Sequence, residues 1–413
     1  MIRILAACAA ALIAACATPP ETKAPVCPAC PVCAICTPVA PAAPLEKDEP
    51  LDLEPAAAKT PPAPRGKLER TSWESVPEWG RESMKDALVA FQRGCTVLSA
   101  QPDWKDVCQW SVPLSANASE ADIARFFREA FDPWRVVNLD GTDNGLLTGY
   151  YEPLLAGSRV PTKTYKYPIY RTPSDLVAID LGDVYADLKF RRLRGRLVDN
   201  KLVPYFERAE IDVPKSPLMG LEIVWVDDPV ELHYLQIQGS GQIVLADGSK
   251  IRVGYADQNG HPFRSVAGLL IRRGEIKAQN ASIAGIREWA KRNPKKALRY
   301  LNANPSYVFF KELPLDLPGP IGTQGVPLTA ERSIAIDPRV IPLGVPLYLS
   351  TTHPATREPL NRLMVAQDTG GAIAGAVRGD FYWGTGDTAG QDAGRTKQPV
   401  RMWVLLPKGV EAK

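Results

Sequence analysis

The sequence predicts an α+β protein that is mainly β, in which a smaller β domain is inserted into a larger one. Three observations support this prediction. The 413 residues exceed the usual size of one domain. Their composition, 45% hydrophobic and 23% charged, suits folded cores. The residue patterns follow the order helices, strands, helices, strands, so the two outer parts should form one domain around the inner one. A cleft between the two domains is then the expected place for a site.

The chain begins with a predicted signal peptide at residues 1–15. One positive residue, Arg3, precedes an apolar run that is too short to span a bilayer but suits a signal peptide. The segment Leu12-Ile13-Ala14-Ala15-Cys16 resembles a bacterial lipobox, which implies that Cys16 is lipidated and becomes the mature N-terminus. Ala17 follows, and the same resemblance implies sorting to the periplasmic face of the outer membrane of a Gram-negative bacterium. The alternative is simple secretion with cleavage nearby.

Residues 16–66 are predicted to form a tether rich in proline and alanine. Residues 17–66 hold 13 of the 39 prolines, and extended polyproline chain at about 3.1 Å per residue would reach on the order of 100 Å. Four cysteines recur at every third position, as in some metal-ligand sets: Cys27, Cys30, Cys33 and Cys36. We expect them to form disulfides, because an exported protein meets oxidising conditions and no core surrounds them. A thiol redox or metal-cluster protein is the alternative class.

Regular patterns begin after the tether. Helices are predicted between 80 and 93 and from Ser119, where a capping sequence precedes apolar residues at helical spacing. Further helices are expected at about 264–275, 281–292 and 295–302. The predicted strands are Leu146–Tyr151, Tyr167–Tyr170, Ile223–Val226, Tyr234–Gln238, Gln242–Leu245, Lys250–Tyr255, Ser333–Ile336, Pro346–Leu349, Leu363–Gln367 and Val400–Leu406. Cys95 and Cys108 are the only cysteines in this part, and we expect them to pair.

Composition and motifs exclude several classes of function. The net charge of +3 is too close to zero for a nucleic-acid-binding protein recognised by its bulk charge. The chain has three histidines, none spaced as a metal-binding pair, so we predict no metal site and no cofactor. Neither a P-loop nor the nucleophile elbow of a serine hydrolase is present.

Three aspartates of the C-terminal block are candidates for catalysis. Asp337 and Asp368 end predicted strands, and Asp380 follows a glycine-rich stretch. Each alone is also compatible with a turn-forming role. Asp380 stands out because Phe381-Tyr382-Trp383 follows it, and aromatic side chains both desolvate a carboxyl group and stack on sugars. The alternative for these aromatic residues is ordinary core packing.

Five ordered motifs resemble one family of enzymes, the membrane-bound lytic murein transglycosylase A family with its three-aspartate domain. They are Thr148–Pro153, Leu235–Gly241, Gly254–Gly260, Asn304–Phe310, and Asp368–Ile373 with Asp380. The resemblance covers about residues 73–407. It implies a double-psi β-barrel built from residues 67–155 and 263–413, an inserted second β-barrel domain at 156–262, and a groove between them for a glycan strand of peptidoglycan.

The resemblance also implies the chemistry. An enzyme of this family would cleave the β-1,4 bond after N-acetylmuramic acid and form a 1,6-anhydro ring, so one carboxyl group suffices as acid and then base. The family's catalytic acid falls on Asp380, with Asp368 and Asp337 orienting it. Glycan contacts are expected from Thr148, Tyr150, Gln238, Ser240 and Trp383. A β-turn is the alternative for Gln238 and Ser240, and a non-catalytic wall-binding module or a hydrolytic muramidase is the alternative function.

Overall fold

The computed structural model describes residues 66–114, 118–185, 188, 191 and 193–412. The predicted signal peptide and the tether, with Cys16 and the four-cysteine run, lie outside the described residues. No helix within the described residues has the length and apolar character needed to cross a membrane.

The helices are α1 Lys85–Leu98, α2 Pro102–Ser111, α3 Glu120–Ala130, α4 Arg208–Ile211, α5 Pro229–Gln238, α6 Val266–Arg272, α7 Ile283–Arg292, α8 Pro294–Leu301 and α9 Asp387–Arg395. The strands are β1 Gly66–Arg70, β2 Phe131–Asn138, β3 Gly145–Glu152, β4 Leu154–Ser158, β5 Tyr167–Tyr170, β6 Val177–Ile179, β7 Leu193–Val198, β8 Lys201–Pro204, β9 Glu222–Val226, β10 Ser240–Leu245, β11 Lys250–Gln258, β12 Val308–Leu313, β13 Ser333–Ile336, β14 Pro346–Thr352, β15 Pro359–Thr369, β16 Arg378–Thr385 and β17 Lys397–Pro407.

Six strands close into a β-barrel in the order β17-β14-β15-β13-β16-β3, because β17 pairs again with β3. Strands β2 and β1 extend this sheet beyond β17. Both ends of the described chain therefore contribute to one barrel. Helices α1, α2 and α3 share its hydrophobic core, where Phe91, Phe127 and Phe131 make aromatic contacts. Ser119 caps α3 as predicted, since its side chain accepts from the amide of Asp122.

The inserted part forms a second sheet with the order β12-β11-β10-β4-β9-β5. A bridge between Arg171 and Phe310 joins the two outer strands of this sheet, so it curves toward closure. A small sheet, β6-β7-β8, accompanies it. The mixed, strand-rich fold class predicted from the sequence is confirmed.

The inserted part extends further along the chain than the boundary expected at residue 262. Strand β12 pairs with β11 from Val308↔Gln258 to Leu313↔Arg252, and α7 and α8 pack on α5. Helices α6 to α8 therefore belong with the insert, which continues to about residue 313. The reason is that β12 supplies an edge strand that the insert sheet needs, a long-range pairing that composition does not reveal.

The predicted strand at Tyr234–Gln238 is wrong, because these residues end helix α5. Its apolar and polar residues alternate as in a strand, but the helix has clear end signals. Asp228 caps its start by accepting from two backbone amides, Pro229 takes the first position, and Gly239 ends it in the left-handed conformation with φ +81°. His233 of the same helix is buried.

Cys95 on α1 and Cys108 on α2 are joined by a disulfide. The cysteines are 13 residues apart, so the bond constrains a short loop of the unfolded chain. We expect the double substitution Cys95→Ala/Cys108→Ala to lower the free energy of unfolding by about 3 kcal/mol. Urea denaturation of the full chain measures this change. An unchanged midpoint and slope would contradict the prediction.

Candidate active site

Strand register brings two of the three candidate aspartates into one row across the barrel. Ala335 of β13 pairs with Asp368 of β15 on one side and with Asp380 of β16 on the other. Asp380 in turn pairs with Thr148 of β3. Because directly paired residues point to the same face of a sheet, the two carboxyl groups and the Thr148 hydroxyl lie on one face.

Asp380 is held by a short chain of hydrogen bonds. The Thr148 hydroxyl donates to Asp380 Oδ1 at 2.5 Å, and Arg378 Nη2 donates to Thr148 Oγ1 at 2.8 Å. Burial raises the pKa of Asp380 from its ordinary value of 3.8 to about 6, with a further contribution from the negative charge of Asp368, although Thr148 and Arg378 pull it down. A carboxyl group with this pKa can both give and take a proton near neutral pH.

Asp368 accepts hydrogen bonds at both carboxyl oxygens. The amide and the hydroxyl of Thr323 donate to Oδ1 at 3.0 and 2.9 Å, and the Thr369 amide also donates to Oδ1. The Tyr150 hydroxyl donates to Oδ2 at 3.0 Å. Burial raises the pKa of Asp368 above its ordinary value, and these four donors oppose that rise. The arrangement fixes the carboxyl group of Asp368 in place.

Asp337 follows the end of β13 and is not part of this row of paired residues. Its carboxylate forms an ion pair with Arg339 and accepts from the Gly375 amide at 2.8 Å. Burial acts to raise its pKa, but the bonds from Arg339 and Gly375 outweigh that effect, so the pKa lies below its ordinary value. Asp337 thus fastens the loop that leads into β16, on which Asp380 lies.

Thr148 and Tyr150 direct their hydroxyl groups to the aspartates, whereas the sequence analysis expected them to contact the glycan. Both side chains project from the same face of β3 because they are two residues apart. Gly149 between them points the other way, where a Cβ atom would come within 2.8 Å of Trp383 and of the Ala393 backbone. Glycine is therefore required for this close approach of β3 to β16 and α9.

Trp383 is not available to stack on a sugar, which corrects the expectation from the sequence. Its side chain is only 7% exposed, packs against Phe381 at 4.5 Å between ring centroids, and donates from Nε1 to the Thr396 hydroxyl at 2.9 Å. The alternation of β16 explains this position, because Phe381 and Trp383 face the hydrophobic core while Asp380 and Tyr382 face the opposite side.

Gln238 and Ser240 lie where the insert meets the barrel. Gln238 Oε1 accepts from the Tyr151 amide of β3 at 3.0 Å, and Ser240 opens β10 with its side chain buried. The Tyr151 amide that holds Gln238 lies three residues after Thr148 along β3. Sequence reasoning placed these residues at a turn or at the glycan, and the structure places them at the junction of the two parts.

A buried ion pair at the same junction was missed. Glu152 of β3 is fully buried, and its Oε1 lies 3.0 Å from Arg252 Nε on β11 of the insert. Gln242 and Thr385 donate to Glu152 Oε2 at 3.0 and 2.8 Å. Glu152 follows the Tyr150-Tyr151 pair in the sequence, but nothing local identifies a partner 100 residues away.

Two residues that support the aspartates were also missed, Thr323 and Arg378. Arg378 lies near the end of the glycine-rich stretch and is two residues before Asp380, which is a weak signal. Thr323 lies 45 residues from Asp368 and has no sequence signal. Within the described residues, no group of three or more His, Cys, Asp or Glu side chains could hold a metal ion.

Comparisons with known proteins identify relatives of this chain. Residues 146–311 match the MltA specific insert domain, and residues 332–406 match the 3D domain. The chain is 33% identical over 300 residues to the membrane-bound lytic murein transglycosylase A of Escherichia coli K12, covering 71% of this chain and 73% of that protein. The corresponding protein of Vibrio cholerae is 28% identical, covering 72% of this chain and 80% of that protein.

Solved structures agree with these matches. The crystal structure of MltA from Neisseria gonorrhoeae has a TM-score of 0.74 at 35% identity and covers 85% of this chain and 97% of that one. A membrane-bound lytic murein transglycosylase from Agrobacterium tumefaciens has a TM-score of 0.73 at 30% identity, and the match covers 83% of this chain and 98% of that one. The structure of E. coli MltA with bound chitohexaose has a TM-score of 0.59 at 26% identity, and the match covers 84% of this chain and 95% of that one.

Proposed function

This chain belongs to the membrane-bound lytic murein transglycosylase A family, and we propose that Asp380 performs both proton transfers of its reaction. The protein is a peptidoglycan lytic transglycosylase, a lyase, with a double-psi β-barrel fold. The reaction breaks the β-1,4 bond between N-acetylmuramic acid and N-acetylglucosamine. The C6 hydroxyl of the muramic acid then closes a 1,6-anhydro ring, so no water is consumed.

The observation that carries the proposal is the chain of hydrogen bonds from Arg378 through Thr148 to Asp380. Because Arg378 donates to the Thr148 oxygen, the Thr148 hydroxyl proton is directed to Asp380 Oδ1. This leaves Asp380 Oδ2 to carry the catalytic proton. Protonated Asp380 gives this proton to the leaving glycosidic oxygen, and the resulting carboxylate takes the proton of the attacking C6 hydroxyl.

Asp368 and Asp337 act as positioning residues in this proposal. Four donors engage Asp368, so it is unsuited to activating a water molecule as the second carboxylate of a hydrolytic enzyme would. Its charge instead helps to raise the pKa of Asp380. Asp337 holds the loop before β16 through the Gly375 amide.

Gln238 is proposed to contact the glycan strand of peptidoglycan at the junction of the barrel and the insert, and Ser240, which is buried beside it, to support this position at the start of β10. Gln238 is fixed there through its bond to the Tyr151 amide, which leaves its carboxamide nitrogen as the group to donate to an N-acetyl oxygen. The bound chitohexaose of the E. coli relative supports a groove for a chain of N-acetylated sugars.

The pH dependence of turnover tests the role assigned to Asp380 and Thr148. Since the reaction starts from the protonated acid, we expect turnover to be full below the Asp380 pKa of about 6 and to fall about tenfold per pH unit above it. Thr148→Val removes a hydrogen bond that favours the carboxylate, so the pKa should rise and the falling limb should move up by about one pH unit. Release of soluble muropeptides across pH 4–9 measures this.

The control for this experiment is Thr96→Val, because Thr96 is an exposed residue of α1 whose hydroxyl donates only to the Arg93 carbonyl among its described contacts. Its pH profile should match the wild type. A Thr148→Val profile that also matches the wild type would show that Thr148 does not tune the acid.

The membrane attachment is proposed to be a lipid on Cys16 that holds the enzyme at the periplasmic face of the outer membrane. Support comes from the Leu12–Cys16 lipobox pattern, from Ala17 after it, and from the membrane-bound character in the names of the relatives. We expect intact-mass measurement of membrane-extracted protein to give a chain beginning at a diacylated or triacylated Cys16. A mature N-terminus without fatty acid would contradict the anchor.

A further inference from the structure

A cavity of about 340 Å³ lies between the small β6-β7-β8 sheet and the loop that follows β11. Its walls are largely aliphatic, formed by Ile179, Leu193, Leu202, Val203 and Pro204. Arg194, Asn259, Gly260 and His261 complete the lining. A small aliphatic cavity with a few polar groups suits an organic ligand rather than a hydrated ion.

Arg194 is the cationic side chain of the lining, and an ion pair with Asp257 holds its guanidinium in place. Arg194 Nε lies 2.9 and 3.1 Å from the two carboxylate oxygens of Asp257, and Nη1 donates to the Leu193 carbonyl at 2.9 Å. A guanidinium has five N–H donors, of which these contacts use two among the described residues. A carboxylate is the ligand group that such a planar, fixed guanidinium recognises best.

The other polar residues of the cavity are committed to the protein. Asn259 is 1% exposed, donates to the Phe206 and Pro305 carbonyls, and accepts from the Tyr307 amide. His261 Nε2 lies 2.7 Å from the Tyr205 carbonyl, so it donates there. The cavity therefore offers an aliphatic wall and the remaining N–H donors of a guanidinium that is ion-paired with Asp257, which fits a carboxylate that bears a small alkyl group.

The position of the cavity relates it to the substrate. Ser240 pairs with Gly254 of β11, beside the α5 end that contacts β3. From Gly254 the chain runs five residues to Asn259, roughly 16 Å at the rise of a strand. An extended tetrapeptide and the lactyl group that carries it, about five residue lengths together, span roughly 17 Å. A peptide attached through the lactyl group of a sugar bound beside Ser240 would reach the cavity.

We infer that this cavity binds the carboxyl-terminal D-alanine of a stem peptide of the peptidoglycan substrate, with its carboxylate on Arg194 and its methyl group on the aliphatic wall. The inference rests on the proposed glycan groove at the junction of barrel and insert.

Calorimetric titration of the wild-type full chain with the free tetrapeptide L-Ala-γ-D-Glu-diaminopimelate-D-Ala tests the inference. The tripeptide without D-alanine is the comparison ligand, and we expect it to bind at least about tenfold more weakly, since it loses the alkyl contact and moves the terminal carboxylate. Arg194→Met should lower tetrapeptide affinity by at least the same factor. Leu202→Glu should do likewise, because Leu202 is 44% exposed and the new charge repels the ligand.

Two matched variants and a sugar ligand separate the possible outcomes. Arg128→Met and Leu139→Glu change exposed residues outside the cavity and should leave tetrapeptide binding unchanged. All variants should bind chitohexaose like the wild type. Equal binding of the two peptides, no binding of either at millimolar concentration, or parallel loss of peptide and chitohexaose binding in both cavity variants would overturn the inference. Tetrapeptide binding without chitohexaose binding would instead count against the glycan groove alone.

Discussion

Asp380→Asn is expected to lower the turnover of murein by at least about 10²- to 10⁴-fold, the usual contribution of one general acid. The loss should lie at or beyond the upper end, because the same group must also take the C6 proton. Asparagine keeps the shape of the side chain and can still accept from Thr148, so binding of chitohexaose should survive. Release of 1,6-anhydromuropeptides, followed by mass spectrometry, measures the loss.

The direction in which Asp380→Asn changes the free energy of unfolding follows from the pKa of Asp380. The folded-state pKa of about 6 lies above the ordinary 3.8, so the stability due to protonated Asp380 is complete below pH 3.8 and is lost as pH rises through 6. Asparagine does not ionise and escapes this loss. At pH 7.5 the variant should therefore be at least as stable to urea as the wild type, so inactivity cannot be attributed to unfolding.

Asp106→Asn is the matched control, since Asp106 is an exposed residue of α2, and it should retain full activity. Asp368→Asn should cost less than Asp380→Asn if Asp368 only positions and charges its neighbour. Retained turnover in Asp380→Asn together with an inactive Asp368→Asn would move the acid to Asp368. Reducing-end products from the wild type would require a water molecule and a second carboxylate.

Arg252→Met is expected to cost about 3–5 kcal/mol of stability, because it leaves the carboxylate of Glu152 buried without its counter-charge. Glu152 is fully buried and Arg252 is 5% exposed. The pair joins β3 of the barrel to β11 of the insert, so the loss should also loosen the junction that holds Gln238. Urea denaturation at pH 7.5 measures the change in the free energy of unfolding.

Two further variants show whether burial is the cause. In Glu152→Gln/Arg252→Met no charge remains at the site, so this double variant should recover a large part of the lost stability. Arg159→Met removes one partner of the pair with Glu312 on the same insert, where both side chains are about half exposed, and should cost less than about 1 kcal/mol. A single Arg252→Met variant no less stable than Arg159→Met would show that the junction does not depend on this pair.

Local patterns were sufficient wherever the signal was short-range. The capping sequence at Ser119 predicted the start of α3, and β-branched and apolar runs predicted strands such as Ser333–Ile336 at their observed bounds. The pattern misled at Tyr234–Gln238, where a short alternating run outweighed the helix-ending Gly239 in our interpretation. It also misled at Trp383, because an aromatic residue beside a carboxylate faces the other side of a strand when the two are an odd number of residues apart.

The amino-acid sequence by itself determined the fold class, the order of its helices and strands, the family resemblance and the candidate aspartates, because these depend on residue types and short spacings. Only the tertiary structure decided how those residues are used. Register across β15, β13 and β16 sets Asp368 and Asp380 on one face. Asp337 lies after the end of β13, where it binds the loop before β16 through the Gly375 amide. Thr323, Arg378 and the Glu152–Arg252 pair acquire their roles through contacts across other strands and loops. A sequence does not specify such contacts until long-range strand pairing has brought distant residues together, and burial then sets the pKa of the acid.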